Sequence, residues 1–266
     1  MTGYRHHPAR DEPRHRMLLL HGLGNSASLW DDYAARKADD VEAWALDLPW
    51  RGDGDPSWGH PSDLAAAVRE VVAGAPERPD VLVAHSFAAS LVLDVLCRAD
   101  GAAFLRERGV RGVVLVSPFY RRDPADFTWE AVAGMPAGFR ALIVTAIRLR
   151  SRGRIGSALE SDMAARVCER VGAYGWSRFL EVYLNSPWLR VDLAEVPALV
   201  IAGAADAART DAGHLAADLP AAELVELAGC AHFPMLERPA EFAAALDRFP
   251  ADLRSADRCL PSPEPK

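Results

Sequence analysis

Short apolar runs alternate with longer helical patterns along most of the chain, the arrangement of a parallel sheet flanked by helices. The runs fall at 17–20 (MLLL), 41–48 (VEAWALDL), 81–84 (VLVA), 113–116 (VVLV), 198–201 (ALVI) and 224–227 (LVEL). Each is followed closely by a breaker: Gly22, Pro49, Ser86, Ser117, Gly203 and Gly229. A buried strand, then a turn, then a helix is a βα unit, so about six parallel strands are expected.

The intervening segments supply the helices. One is predicted through Leu29, Trp30 and Tyr33, and an amphipathic one opens at Pro61-Ser62-Asp63 and runs to about Val72. Phe87, Leu91, Val92, Val95 and Leu96 make the next helix apolar nearly all round, with Asp94 as its interior charge. After Pro239, a residue suited to a first helical turn, Phe242, Leu246 and Phe249 share one face of a last helix. Between 119 and 193 the pattern is helical but punctuated by Gly134, Pro136, Gly138, Gly153, Gly156, Gly172 and Gly175. A connection that long is better read as a helical insertion, placed to cover the carboxyl ends of the strands where open α/β sheets bind ligands. The expected organisation is a flexible arm (1–16), an α/β core (17–118 and 194–252), a helical cap (119–193) and a loose tail (253–266).

Composition narrows the function classes. Half of the 266 residues are apolar, enough for one large core, and 37 acidic against 30 basic residues give a net charge of −7. Such a charge disfavours nucleic acid and anionic membranes as partners. Cys97, Cys168, Cys230 and Cys259 are far apart and form no C-x-x-C pair, so neither a zinc site nor a disulfide scaffold is indicated. The first sixteen residues lack an apolar core of signal-peptide length, and no later run reads as membrane-spanning, so a soluble cytoplasmic protein is expected. His6, His7 and His15 would make at most a weak metal site in a flexible arm. The G-x-G at Gly22 and Gly24 lacks the third glycine and downstream acid of a dinucleotide site.

The candidate chemistry sits at strand ends. Ser86 lies where an apolar strand turns within one or two residues into a helix, a turn that exposes a strained hydroxyl above the sheet. So tight a turn needs small neighbours, and Ala84 and Ala88 supply them. The competing reading of Ser86 is a plain helix N-cap. Asp206 and His232 follow two later strands, which gives the chain order Ser, Asp, His. Acyl transfer needs a hydroxyl, an imidazole to take its proton and a carboxylate to orient the imidazole. Taken singly, Asp206 is also a good turn residue with Asp211 nearby to compete for its role, and His232 also reads as a half-buried loop histidine. His85 neighbours the nucleophile and His214 falls on the helix after Asp206, so neither is chosen as the base.

On these pieces the chain resembles the α/β-hydrolase fold superfamily over residues 17 to 249. The resemblance is carried by His21-Gly22-Leu23-Gly24, Asp47-Leu48-Pro49 with Gly52, Ala84-His85-Ser86-Phe87-Ala88, Gly203-Ala204-Ala205-Asp206, and Gly229-Cys230-Ala231-His232 with Glu237 and Pro239. It implies Ser86 as nucleophile, His232 as general base and acid, Asp206 as orienting carboxylate, and an oxyanion hole from the N–H groups of Leu23 and Phe87. Alanines stand at 84 and 88 where the family has glycine, Trp50-Arg51-Gly52-Asp53 replaces the commoner G-H-G-x-S run, and the family's N-terminal hairpin is expected to be missing or reduced.

Aromatics of the cap and its surroundings, Trp50, Trp129, Trp176, Tyr183 and Trp188, are candidates for an apolar substrate pocket. Arg148, Arg150, Arg152 and Arg154 alternate along one segment; a solvated charged face is the favoured reading over a grip on a coenzyme A or phosphopantetheine phosphate. The expectation is a serine hydrolase without metal or nucleotide cofactor, acting on an ester or thioester of a small, largely apolar molecule that is free or linked to a carrier protein or coenzyme A. The alternatives are a thioesterase, acyltransferase or cyclase of a secondary-metabolite pathway, a carbon–carbon hydrolase, or a non-hydrolytic binding protein on the same fold.

Overall fold

A computed structural model describes residues 3–51, 56–59 and 63–258. Seven strands form one sheet: β1 (Tyr4–His7), β2 (His15–Leu20), β3 (Val41–Leu46), β4 (Val81–His85), β5 (Gly112–Val116), β6 (Ala198–Gly203) and β7 (Ala222–Leu227), in the order β1-β3-β2-β4-β5-β6-β7. All neighbours pair in parallel except β1 and β3. Every residue of β4, β5 and β6 is buried, which is why these strands read as continuous apolar runs rather than alternating ones.

The helices are α1 (Asp31–Ala34), α2 (Leu64–Ala73), α3 (Phe87–Leu96), α4 (Gly101–Glu107), α5 (Trp129–Ser151), α6 (Ser157–Leu184), α7 (Arg209–Asp218), α8 (Pro234–Glu237) and α9 (Pro239–Arg258). Asp63 starts α2 by accepting from the N–H groups of Ala65 and Ala66. Successive side chains of a strand point to opposite faces, and two cores follow. Leu18, Leu82 and Val113 pack with α2 and α3 on one face, while Met17, Val83 and Val114 pack with Trp30, Tyr33, Phe242 and Phe249 on the other.

Both ends of the chain depart from the sequence expectation. The arm predicted flexible over 1–16 carries β1, which pairs antiparallel with β3, Tyr4 opposite Leu46 and His7 opposite Ala43. In place of an N-terminal hairpin the sheet has this one edge strand. Its polar residues give no burial signal because the strand is held by backbone pairing, by His6 stacking on Trp44 with ring centroids 5.1 Å apart, and by the His6 contact with Glu42 at 2.9 Å. His15 begins β2 and is buried, and among the described residues no three metal-binding side chains gather. At the other end α9 passes the expected boundary at 252 and continues to Arg258, running through Pro250 rather than ending at it. Residues 259–266, with Cys259, lie outside the described residues, as do Gly52 and Asp53.

Segment 119–193 contributes α5 and α6, which pack against one another; α6 is broken at Gly172, whose φ of 61° and ψ of −175° are not helical. Helix α5 corrects another expectation. Its 23 residues have a window of mean hydropathy 1.4, long and apolar enough by length and composition to cross a membrane. Part of that apolarity faces inward, because Met135, Phe139, Leu142 and Ile143 line a cavity over Ser86.

The sheet topology decides where that cavity forms. The chain moves outward from β2 to β3, then crosses back to β4 on the other side. Loops after β2 and β4 therefore leave in opposite directions and open a crevice at the carboxyl ends of the strands. His21–Asn25 and Ser86 occupy that crevice.

Candidate active site

Ser86 stands alone between the last residue of β4 and the first of α3, with φ 56° and ψ −120°. A non-glycine residue there costs about 1–2 kcal/mol, and burial of the flanking elements holds it in place. Its N–H donates to Val116 O at 2.8 Å, and Ala84 and Ala88 are fully buried where the strand and helix meet. The side chain makes no capping bond, so Ser86 is not a side-chain N-cap. Its hydroxyl instead lies 3.0 Å from Nε2 of His232. Gly22 permits this crowding: a Cβ there would sit 2.9 Å from His85 Nδ1 and 3.0 Å from Ser86 Cβ.

Asp206 and His232 come from the loops after β6 and β7, and backbone bonds bind these loops together. Ala204 N–H donates to Leu227 O at 2.9 Å and Ala205 N–H to Cys230 O at 3.0 Å. His232 Nδ1 is 3.1 Å from both carboxylate oxygens of Asp206. An ionised carboxylate only accepts, so Nδ1 carries the proton and Nε2 is free to accept from the Ser86 hydroxyl. Burial by itself would raise the Asp206 pKa, but the His232 imidazole and the Ala208 N–H outweigh it and hold it down at about 2.

Two supporting residues have roles that sequence reading did not assign. Glu237 at the end of α8 accepts from the N–H groups of Ala231 and Phe233, each at 3.0 Å, and so clamps the backbone on both sides of His232. Gly203 lets the two loops touch: a Cβ on it would fall 2.2 Å from Ala231 O and 2.4 Å from Cys230 O. Backbone carbonyls in bonded loops cannot step aside cheaply. Gly203→Ala is therefore expected to destabilise the protein by about 2–4 kcal/mol. Denaturant unfolding checks this, and a variant within about 0.5 kcal/mol of wild type would refute it.

Leu23 lines the cavity together with Ser86, and Phe87 follows Ser86 as the first residue of α3. Of the pocket candidates, Trp176 and Tyr183 line the cavity beside Ser86, which has a volume of about 310 Å³. The other three do not. Trp50 is buried in the core, packed edge-on to Phe87 with its Nε1–H donating to His21 O at 3.0 Å. Trp129 and Trp188 point into solvent, 83% and 65% exposed. Aromatic content marks a segment as apolar; helix phase then decides which rings turn inward. Phe119, Phe139 and Phe179 complete the apolar wall.

The competing groups have separate duties. Asp211 is buried under the cap, accepting from Tyr183 O–H at 2.7 Å and from Tyr120 N–H at 3.1 Å, and it does not meet His232. His85 donates from Nε2 to His232 O at 2.9 Å and supports the loop. Three of the four arginines of 148–154 are engaged with separate partners. Arg148 pairs with Glu160 at 2.9 Å, Arg152 reaches Asp32 at 3.5 Å, and Arg154 bonds Ser151 O at 2.9 Å.

Two buried imidazoles make stability depend on pH. Burial, and then the neighbouring His232, push His85 down to about 3, and burial pushes His21 down to about 4. His21 is fixed as the neutral form by accepting from Leu48 N–H at Nε2, 3.0 Å away, while Nδ1 lies 2.8 Å from Gly22 O. Below pH 6.5 the unfolded chain binds protons at these positions and the folded chain does not. Stability is then fully present above about pH 6.5 and falls as pH drops toward 4, with each histidine contributing a slope of up to about 1.4 kcal/mol per pH unit. Unfolding free energies at pH 7, 6 and 5 test this, and a profile rising toward acid would contradict it.

A parallel sheet with a strand crossover at β2, a serine on a positive-φ strand-to-helix turn, and an aspartate and histidine after the last two strands define an α/β-hydrolase fold. The chain belongs to the alpha/beta hydrolase family, whose sequence pattern matches residues 17–245. No curated protein matches the sequence significantly. Among solved structures it is similar to MenH from S. aureus, at 14% identity and TM-score 0.66 over 96% of this chain and 100% of that one. It is likewise similar to an enol-lactonase from Burkholderia xenovorans LB400, at 19% identity and TM-score 0.64 over 96% of both chains. A thioesterase domain from the curacin biosynthetic pathway aligns at 16% identity and TM-score 0.60 over 94% of this chain and 95% of that domain.

Proposed function

We propose that the protein is a serine hydrolase that cleaves an ester or thioester of a small, largely apolar molecule through an acyl-enzyme on Ser86. The observation that supports it most is the unbroken relay from Ser86 Oγ through His232 to Asp206 at the floor of an apolar cavity. In this reading the Ser86 hydroxyl attacks the substrate carbonyl while His232 Nε2 takes its proton. The N–H groups of Leu23 and Phe87 stabilise the oxyanion, and His232 then protonates the leaving group. Water, activated by the same imidazole, releases the acid. A serine rather than an aspartate at position 86 favours acyl chemistry over alkyl-halide or epoxide opening.

Among the described residues no lysine, arginine, aspartate or glutamate lines this cavity, which favours a neutral acyl group. The test is a panel of p-nitrophenyl esters and acyl thioesters of two to twelve carbons, run beside fluorophosphonate labelling. Turnover of short or medium chains with labelling at Ser86 supports the reading. No turnover and no labelling of native protein would overturn it.

A further inference from the structure

A second chamber of about 440 Å³ adjoins the first, and Asn25 and Ile143 belong to the lining of both. This chamber is open to solvent on one side, and Gly24, Ser26, the α5 residues Ala146, Ile147 and Arg150, and three residues of α6 including Arg166 line the rest. Its charged lining consists of two arginines, from two different helices, in a chain whose net charge is −7. Arg150 reaches across to the Ser28 hydroxyl, which anchors it beside the chamber. Arg166 has no hydrogen-bond or ion-pair partner among the described residues, unlike Arg148 and Arg152 nearby. Two exposed guanidiniums from different helices border the same depression with no carboxylate in its lining, which suits an anion, and phosphate matches the guanidinium fork best.

We propose that this chamber binds the phosphate of the leaving group, so that the substrate is a thioester of a phosphorylated pantetheine-type thiol, with its acyl chain in the apolar cavity and its phosphate between Arg150 and Arg166. The proposal rests on Ser86 as the nucleophile, and it assigns the divided lining a purpose. A neutral acyl group fits the cavity under Phe119, Phe179 and Trp176, while the charged part of the same molecule would be rejected there for want of a partner. Asn25, buried at the junction, offers an amide to the polar arm that must pass between the two.

The test compares octanoyl-pantetheine with octanoyl-4′-phosphopantetheine, which differ only in the phosphate. The phosphorylated thioester is expected to show a KM lower by at least about tenfold. Arg166→Ala should bring the ratio of the two KM values to about one, and Arg166→Lys should restore part of it. Octanoyl-coenzyme A tells the sources apart. A further fall in KM assigns the chamber to the nucleotide-bearing thiol, and an unchanged KM assigns it to the phosphopantetheine arm alone. Equal KM values for the first pair in the wild type would overturn the proposal. Failure of Ser86 as nucleophile would show differently, as loss of turnover on every substrate. Calorimetric binding of 4′-phosphopantetheine to Ser86→Ala, and its weakening by Arg166→Ala, reads the chamber without turnover.

Discussion

Ser86→Ala is expected to lower kcat/KM toward p-nitrophenyl esters by at least about 10⁴-fold and to abolish covalent labelling by a fluorophosphonate. The size follows from the geometry: the Ser86 hydroxyl lies 3.0 Å from His232 Nε2, and among the described residues no other serine, threonine or cysteine lines the cavity. The oxyanion donors and the apolar walls stay in place, so a residual rate above that of water is expected. Alanine removes no capping bond, because the serine side chain makes none. The thermal midpoint should therefore remain close to that of wild type, and activity loss without unfolding is the combination to look for. Labelling that persists in Ser86→Ala, or moves to another residue, would place the nucleophile elsewhere.

The second large effect is expected at Asp206→Asn, with kcat falling by about 10³- to 10⁴-fold. An asparagine can present an N–H₂ to His232 Nδ1 and pull the imidazole proton to Nε2, where it opposes the serine instead of accepting from it. The change is nearly isosteric, so the loop contact from Ala208 N–H at 3.0 Å can persist. A stability signature accompanies the kinetic one. The Asp206 carboxyl is held at about 2, below its unfolded value, so its charge stabilises the folded state above about pH 4 and that contribution is lost as pH falls toward 2. Asp206→Asn should flatten this part of the acid unfolding curve. A variant with wild-type kcat would assign the orienting role to another group, and Asp211, tied to Tyr183 and Tyr120, lies badly placed for it.

The sheet was legible because burial on both faces writes itself into consecutive residues, as in 81–84 and 198–201. The serine turn was legible for a similar local reason, since Ala84, Ser86 and Ala88 express the sterics of a few adjacent residues. Strand β1 was not, because an edge strand of polar residues is held by backbone pairing to a segment far along the chain. Glu237 was visible as part of a familiar run, but its duty as a clamp on the His232 loop depends on where two N–H groups point. That Trp129 and Trp188 face solvent was not legible either, because an aromatic on a cap helix or in the turn after it looks the same in sequence whichever way it points.

By itself, then, the amino-acid order determined the alternation of strands and helices, the long helical insertion, and the presence of a hydroxyl, a carboxylate and an imidazole just past three apolar runs. Those features follow from local sterics and burial periodicity. Only the tertiary structure decided that Asp206 rather than Asp211 meets His232, that Gly203 lets their loops touch, and that Arg150 and Arg166 border one chamber. The geometry of such contacts is set by how whole elements pack, as it is for Ser86 and His232, which meet from 146 positions apart.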